Sequence, residues 1–210
     1  MRGLSETLQR AAQHEELVFL CSFQKEESVI LDELLAVAPH ARVVTIDTGV
    51  LFPETLATWR AFEDRFGVSV QVEDASGSWT GPELCCGDAK VAALERALDG
   101  AEAWVTGIRR EQAATRADAQ LVEWDERRAM WKYNPLAEWT ERDLWERIFE
   151  RELPYHPLHD QGYASIGCAP CTQPGSGRDG RWAGTDKIEC GLHVARSTRW
   201  SLSSGWASVC

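Results

Sequence analysis

The chain has 210 residues, 44% of them hydrophobic, and a formal net charge of −11. That length and composition suit one domain around a single apolar core. The negative charge disfavours a nucleic-acid polymer or a membrane surface as partner, because both need a broad basic footprint. An anionic ligand would therefore need a local pocket of positive charge.

Export and membrane signals are not apparent in the sequence. No positively charged segment leads into an apolar stretch at the start, and no apolar run reaches the about 18 residues that span a bilayer. We therefore expect a cytoplasmic protein. The seven cysteines are odd in number and would stay reduced in the cytosol, which favours metal binding or thiol chemistry over disulfides. Oligomeric state is left open, a homo-oligomer included.

Apolar runs and helical patterns alternate along the first two thirds of the chain. The predicted strands cover 16–22, 41–47, 68–73 and 101–107, and the predicted helices cover 26–38, 53–67 and 88–100. Residues 119–136 predict two short strands around a charged turn, and 140–152 predict a helix capped by Thr140 with Asp143 three residues on. This alternation predicts an α/β fold with an open, mostly parallel twisted sheet and helices on both faces.

The composition changes at Leu153, where Gly, Pro, Cys and His become dense and no periodicity lasts. Such a long irregular segment is usually functional or disordered, and its cysteines and aromatic residues favour function. We therefore divide the chain into an α/β domain at 1–152, a cysteine-rich segment of the same domain at 153–193, and a flexible tail at 194–210.

Sheets of this kind bind ligands at the carboxyl ends of their strands. The segments predicted there are "SFQKEES" after the first strand, "DTG" after the second, and "TGIRREQAATR" after the fourth. Arginine suits phosphate and sulfate because its guanidinium donates two parallel hydrogen bonds. Four arginines in loop-like segments are candidates for an anion pocket, whereas Arg110 is expected in solvent: Arg109, Arg116, Arg178 and Arg181.

Four cysteines form two pairs. Cys168 and Cys171 make a C-x-x-C in "IGCAPCTQP", and Cys85 and Cys86 are adjacent in "ELCCGDAK". Four thiolates suit tetrahedral zinc or a [4Fe–4S] cluster. Adjacent cysteines are poor zinc-knuckle ligands, since those are spaced by about two to four residues, so the pattern favours a cluster. Four unrelated reduced cysteines are the alternative.

Cys190 stands apart from these pairs in "KIECGLH". It lies between Lys187 and His193, and Gly191 after it allows close approach of a ligand to the backbone. Cations near a thiol lower its pKa and supply a nucleophilic thiolate. A candidate nucleophile and a buried inert cysteine are both open at this position.

These segments, together with "YNPLAEWTERDLW", resemble the assimilatory adenylyl-sulfate/phosphoadenylyl-sulfate reductases from about Ser22 to His193. That family shares the fold of the adenine nucleotide α-hydrolases. One branch carries both cysteine pairs, binds a [4Fe–4S] cluster and mainly reduces adenylyl sulfate (APS). The other lacks all four cysteines and requires the 3'-phosphorylated nucleotide (PAPS). The resemblance therefore implies the cluster-bearing, APS-reducing type.

The resemblance also implies roles for matched residues. Cys190 would attack the sulfate sulfur, expel AMP and become an S-sulfocysteine, from which a reduced thioredoxin would release sulfite. Lys90 would lie between cluster and sulfate and couple their charges. The cluster, in a structural and electrostatic role, would be held by Cys85, Cys86, Cys168 and Cys171.

Preorganised cations are needed because the sulfate oxygens repel a thiolate. The candidates are Lys90, Arg109, Arg116, Arg178, Arg181 and His193. The residues expected to border the nucleotide are Ser22, Gln24, Asp47, Thr48, Gly49 and Gly107.

Two other functions stay open. One is the same chemistry on PAPS. The other is a nucleotide-binding or ATP-using protein of this fold with a structural metal. The first loop lacks the glycines of the S-G-G-x-D-S loop found in related ATP pyrophosphatases, which disfavours ATP cleavage. His156 and His159 have the spacing of metal ligands, but hydrogen bonding within a loop is the commoner role.

Overall fold

The computed structural model describes residues 3–77, 79, 81, 87–182, 184–189 and 192. Its strands are β1 (Leu17–Leu20), β2 (Arg42–Asp47), β3 (Gln71–Asp74), β4 (Ala103–Val105), β5 (Val122–Asp125) and β6 (Met130–Tyr133). Its α-helices are α1 (Leu4–Ala11), α2 (Lys25–Val37), α3 (Pro53–Phe66), α4 (Asp88–Ala97) and α5 (Glu141–Glu150).

The six strands form one sheet in the order β3-β2-β1-β4-β6-β5. All neighbours are parallel except β5 and β6, which form an antiparallel pair at one edge. Val18 of the central β1 is in register with Arg42 on one side and Trp104 on the other. The predicted mostly parallel sheet is confirmed, as are the two short strands around a turn.

Helices cover both faces of the sheet because successive strand residues point to opposite sides. Leu17 and Phe19 of β1 pack in a core with α1, α2 and α5. Val18, between them, and Trp104 of β4 pack in a second core with α4 and with Trp182 of the irregular segment. Those two apolar layers hold the strand ends, and thus the site, in place.

Helix ends follow the local sequence. Pro53 opens α3, where its fixed φ suits the first turn, and Gly67 ends it with a φ of 65°. Thr140 caps α5, with its hydroxyl accepting from Asp143 N at 3.2 Å and its own N donating to the Asp143 carboxylate at 2.8 Å. The predicted cap of α5 is therefore confirmed.

Some boundaries differ from the prediction. β3 begins at Gln71 instead of Val68, and α1 was not predicted, although Leu4, Leu8 and Ala11 are buried on one helical face. From 153 to 189 the described chain forms 3₁₀ turns at Pro157–Gln161 and Ala169–Cys171, joined by irregular backbone. The tail at 194–210 lies outside the described residues. Within the described part, no helix is both long and apolar enough to cross a membrane.

Candidate functional site

A cavity of about 450 Å³ opens at the carboxyl ends of β1 and β4. That volume falls within the range of about 300–1,000 Å³ usual for small-molecule sites. Its lining includes residues after β1, residues after β4 and parts of the irregular segment between 164 and 181, together with residues of β2, α3 and α4. The position is the one at which parallel α/β sheets bind ligands.

The loop after β1 connects the sheet to the irregular segment. Gln24 Nε2 donates to Ser22 Oγ at 3.2 Å, while Gln24 Oε1 accepts from Ile166 N at 2.8 Å. Both Ser22 and Gln24 line the cavity, as predicted for residues that border a nucleotide. Contact with a nucleotide itself stays a prediction.

Two adjacent carboxylates at the start of α2 are buried beside the cavity. Burial, together with the neighbouring Glu26 carboxylate, raises the pKa of Glu27 to about 7. Burial opposes ionisation of Glu26 too, but Lys25 and Arg109 hold its pKa at about 2. Glu26 is therefore ionised at neutral pH, whereas Glu27 is partly protonated there.

Arg109 is surrounded by carboxylates. Its side chain is 3% exposed, and its guanidinium donates to Glu26 at 3.0 Å, to Glu111 at 3.1 Å and to Glu141 at 2.8 Å. A substrate anion would have to compete with these carboxylates. The geometry gives Arg109 the role of holding α2 and α5 together, and its contact with substrate stays a prediction.

Gly107 lies where α2 approaches the end of β4. A Cβ at this position would come within 2.8 Å of Glu27 Oε1 and 3.0 Å of Glu26 Cβ. The missing side chain is therefore required by the packing of the two glutamates. Approach of a nucleotide to this backbone stays a prediction.

Three other predicted arginines line the cavity, on loops. Arg116 forms a bidentate pair with Glu189 at 2.9 Å for both hydrogen bonds, and Arg178 donates to the same carboxylate at 2.8 Å. Arg181 donates to Ile166 O at 3.1 Å, and its guanidinium lies 4.7 Å from the Trp182 ring centroid. The structure thus brings Arg116, Arg178 and Arg181 to one cavity.

Lys90 lies in the first turn of α4 and also lines the cavity. The structure therefore places this predicted cation in the same cavity as the arginines. The cysteines that precede it in the sequence, Cys85 and Cys86, lie outside the described residues, as do Cys190 and His193. The roles predicted for these four residues stay predictions.

Asp47, Thr48 and Gly49, at the end of β2 and directly after it, are not on the cavity lining. Asp47 Oδ1 accepts from Gly49 N at 2.8 Å, which closes a tight turn in which Gly49 has a φ of 71°. Thr48 Oγ1 lies 3.1 Å from Cys168 Sγ. The structure thus places Thr48 against a candidate metal ligand, and the predicted nucleotide contacts of Asp47, Thr48 and Gly49 stay untested.

Cys168 and Cys171 are buried at the two ends of a 3₁₀ turn. Within the described part of the chain, no group of three or more His, Cys, Asp or Glu residues has the arrangement of a metal site. The two thiols nevertheless suit a soft metal centre, which prefers sulfur ligands. Near Cys171 lie two buried donors that have no hydrogen-bond partner among the described residues: Thr172 Oγ1 and Trp182 Nε1. Donors of this kind suit the sulfur acceptors of an iron–sulfur cluster.

The two histidines satisfy loop hydrogen bonds, as the interpretation favoured. His156 Nε2 lies 2.9 Å from Thr55 Oγ1, and its Nδ1 accepts from Leu158 N at 3.3 Å. His159 Nδ1 lies 2.7 Å from Tyr163 O. Burial lowers the pKa of His156 to about 4, so this side chain is neutral at physiological pH.

Sequence reasoning missed two charged residues. Lys25 is 2% exposed, pairs with Glu141 at 3.0 Å and donates to Ala164 O at 2.9 Å. Glu189 accepts hydrogen bonds from Arg116 and Arg178. The position of Glu189 directly before Cys190 was a usable signal, whereas the burial of Lys25 required the fold.

Comparison with known proteins identifies the family. Residues 16–174 match the profile of the phosphoadenosine phosphosulfate reductase domain. The chain belongs to this family. The resemblance seen in the sequence motifs is thereby confirmed.

Relatives in this family have two different names. An adenosine 5'-phosphosulfate reductase of Bacillus pumilus (strain SAFR-032) is 42% identical, and the alignment covers 91% of each chain. A phosphoadenosine 5'-phosphosulfate reductase of Gloeobacter violaceus (strain ATCC 29082 / PCC 7421) is also 42% identical over 86% of this chain and 83% of the relative.

A solved structure agrees with the fold. The crystal structure of phosphoadenylyl-sulfate reductase from Candida auris, a phosphate complex, matches with a TM-score of 0.66 and 27% identity, covering 79% of this chain and 87% of that one. The predicted adenine nucleotide α-hydrolase-like fold is confirmed.

Proposed function

We propose that this member of the phosphoadenosine phosphosulfate reductase family reduces APS to sulfite and AMP. The observation that carries the proposal is the cavity at the strand ends, where Lys90, Arg116, Arg178 and Arg181 are on the lining. A phosphosulfate is a compact anion, and its oxygens can accept hydrogen bonds from the guanidinium groups of the arginines and from the Lys90 ammonium. Membership of this family of sulfur-group oxidoreductases supports the same reaction class.

The proposed chemistry begins at Cys190. Its thiolate attacks the sulfate sulfur, an S–S bond forms, and the bond from sulfur to the bridging phosphate oxygen breaks with AMP as leaving group. A reduced thioredoxin then attacks Cys190 Sγ, sulfite departs with the bonding electron pair, and the second thiol of the thioredoxin resolves the mixed disulfide. Cys190 returns as a thiol, and the thioredoxin leaves oxidised.

The cations in the cavity oppose the repulsion between thiolate and sulfate. Arg178 and Arg181 would bind the oxygens of the phosphosulfate, and Lys90 would approach them from α4. His193, three residues beyond Cys190, is proposed as a further cation near the reacting sulfur. Such groups accelerate the reaction because they are already oriented before charge develops.

We further propose that Cys85, Cys86, Cys168 and Cys171 hold a [4Fe–4S] cluster. Support comes from the buried pair Cys168 and Cys171 and from the unpartnered donors beside them in the described chain. When bound, such a cluster supplies a covalent link between two loops and a nearby charge. Iron and sulfide analysis of anaerobically purified protein tests this assignment, and zinc without iron would contradict it.

PAPS is the second candidate substrate. The Gloeobacter violaceus relative carries that name at the same identity as the APS-named relative from Bacillus pumilus. Sulfite release from the two nucleotides, measured with the same thioredoxin, separates the candidates. We expect faster release from APS, and equal or better use of PAPS would reverse the assignment.

The nucleophile is tested by substitution. Cys190→Ser should abolish sulfite release. Intact-mass spectrometry of this variant should also show no sulfonate adduct, which would add the mass of one SO₃ group, about 80 Da. Cys210→Ser is the matched control and should retain activity. A Cys190→Ser enzyme that still releases sulfite would rule out Cys190 as the nucleophile. A wild-type protein that releases no sulfite would favour a nucleotide-binding or ATP-using role with a structural metal.

The proposal also includes the electron donor of the reaction and its cellular compartment. A dithiol protein of the thioredoxin class fits because release of sulfite needs one thiol to attack and a second to resolve. We place the reaction in the cytoplasm, where thiols stay reduced.

A further inference from the structure

The carboxylate of Glu189 lies at the centre of a buried cluster. Arg116 donates to it from Nε and Nη2, each at 2.9 Å, and Arg178 donates from Nη2 at 2.8 Å. Thr115 Oγ1 adds a fourth hydrogen bond at 3.0 Å. The Glu189 side chain is only 8% exposed. One side chain therefore joins the loop after β4, the Gly-rich loop around Arg178 and the chain that leads to Cys190.

We propose that Glu189 is a positioning residue that fastens the Cys190-bearing segment to the two arginines of the anion site. This inference rests on the proposed role of Cys190 as nucleophile. Covalent geometry keeps the Cα atoms of neighbouring residues about 3.8 Å apart. Any constraint on Glu189 therefore limits where the next residue can lie.

The chemistry of the cluster requires a carboxylate at position 189. Two parallel N–H groups of Arg116 face two oxygens of Glu189, an arrangement that a carboxylate satisfies and an amide does not. Glutamine would direct an NH₂ group towards a guanidinium donor. Glu189→Gln should therefore release the segment without a change in side-chain volume.

Glu189 also moderates the positive charge that a substrate anion meets. Its single negative charge partly offsets Arg116 and Arg178, which both line the cavity. Removal of that charge should leave binding of AMP unchanged or make it tighter, because the arginines attract the phosphate more strongly. Transfer of the sulfonate to Cys190 should become slower, because the segment is no longer held. A slower sulfonate transfer with unchanged or tighter AMP binding distinguishes a positioning role of Glu189 from a general loss of structure, which would weaken both.

The experiment compares Glu189→Gln and Glu189→Asp with Glu138→Gln in the full-length protein. Glu138 is the matched control because it also pairs with an arginine, Arg110 at 3.2 Å, but in an exposed position. Three quantities are measured: hydrogen–deuterium exchange of peptides covering 184–192 without substrate, the AMP dissociation constant, and the single-turnover rate of Cys190 sulfonation by APS. Circular dichroism and thermal melting check that each variant is folded.

For Glu189→Gln we expect at least fivefold faster exchange in 184–192, an AMP dissociation constant equal to or below that of the wild type, and a sulfonation rate at least tenfold lower. Glu189→Asp keeps the charge and should recover part of both effects, and Glu138→Gln should match the wild type. Unchanged exchange or a sulfonation rate within twofold of wild type overturns the inference. If the wild type itself forms no adduct on Cys190, the proposed function fails, while the exchange data still decide whether Glu189 fastens the segment.

Discussion

Two charge clusters meet at the cavity, one around the buried Arg109 and one around the buried Glu189, and they differ in the sign of charge that they leave towards a ligand. In the cluster at the start of α2, Arg109 pairs with Glu26, Glu111 and Glu141, and Lys25 also pairs with Glu141, so three carboxylates face two cations. The cluster on the irregular segment surrounds one carboxylate with two arginines. Only the second keeps positive charge for an anion.

The supports of the two clusters differ as well. The α2 cluster is built on α2, α5 and the turn after β4, which regular hydrogen bonding and two apolar cores hold in place. The arginine cluster depends on loops, fixed by contacts such as those of Arg181 with Ile166 O and Gln24 with Ile166 N. The comparison teaches that helices and strands hold the charges of the scaffold, whereas the arginines proposed to meet substrate lie on loops.

The largest expected effect is at Arg181. Arg181→Ala removes a cavity cation, its hydrogen bond to Ile166 O and its contact with the Trp182 ring, and it should lower kcat/KM for sulfite release about 100-fold or more. Arg110→Ala, which removes a surface ion pair with Glu138, is the control and should stay within twofold. A loss below tenfold would show that Arg181 is not part of the anion site.

A smaller loss is expected at Lys90. Lys90→Ala should lower turnover about 10- to 100-fold with nearly unchanged iron content, because one of several cations near the sulfate is removed. Iron and sulfite are assayed on the same preparation. Loss of iron in this variant would instead give Lys90 a structural role at the cluster.

The α2 cluster should respond to pH through stability. The pKa of Glu27 is raised from 4.5 to about 7 in the fold, so between these values the folded state keeps a proton that the unfolded state has lost. Stability should therefore fall as pH rises from about 4.5 to 7. Glu26 acts in the opposite sense, because its pKa is lowered to about 2 and its contribution is lost as pH falls below 4.5.

Glu27→Gln should remove the decrease in stability between about pH 4.5 and 7, and it should raise the free energy of unfolding at pH 8 by on the order of 1 to 3 kcal/mol. Urea unfolding at a series of pH values measures it, with Glu138→Gln as an exposed control. If the free energy of unfolding decreases with pH in the variant as it does in the wild type, another titrating group causes the pH dependence. Such a result would remove the main electrostatic difference between the two clusters.

Much of the fold follows from local patterns. Alternating apolar runs predicted β1, β2 and β4, Pro53 and Gly67 marked the ends of α3, and Thr140 with Asp143 marked the start of α5. Each of these signals acts over a few residues, so it is legible without knowledge of the fold. The start of β3 was less accurate because an edge strand with exposed residues has a weak pattern.

The predicted site also has a part that local sequence indicates and a part that depends on the fold. Residue type and the position of loops after strands predicted a common site for six residues, and the structure places all six on the lining of one cavity: Ser22, Gln24, Lys90, Arg116, Arg178 and Arg181. Their roles stay predictions. The partners of these charges could not be read from the chain, since Glu189 is 73 residues from Arg116. Thr48 likewise meets Cys168 across 120 positions.

The sequence by itself determined the family, the parallel α/β architecture and the chemical types collected at the strand ends. Only the tertiary structure decided which cations face carboxylates and which retain charge towards the cavity. The physical reason is that a side chain's chemistry is a local property, whereas its net electrostatic effect depends on every buried group within a few ångströms. Arg109 and Arg181 are the same residue type with different surroundings, and the carboxylates around Arg109 distinguish this scaffold arginine from Arg181, which is proposed to meet a ligand.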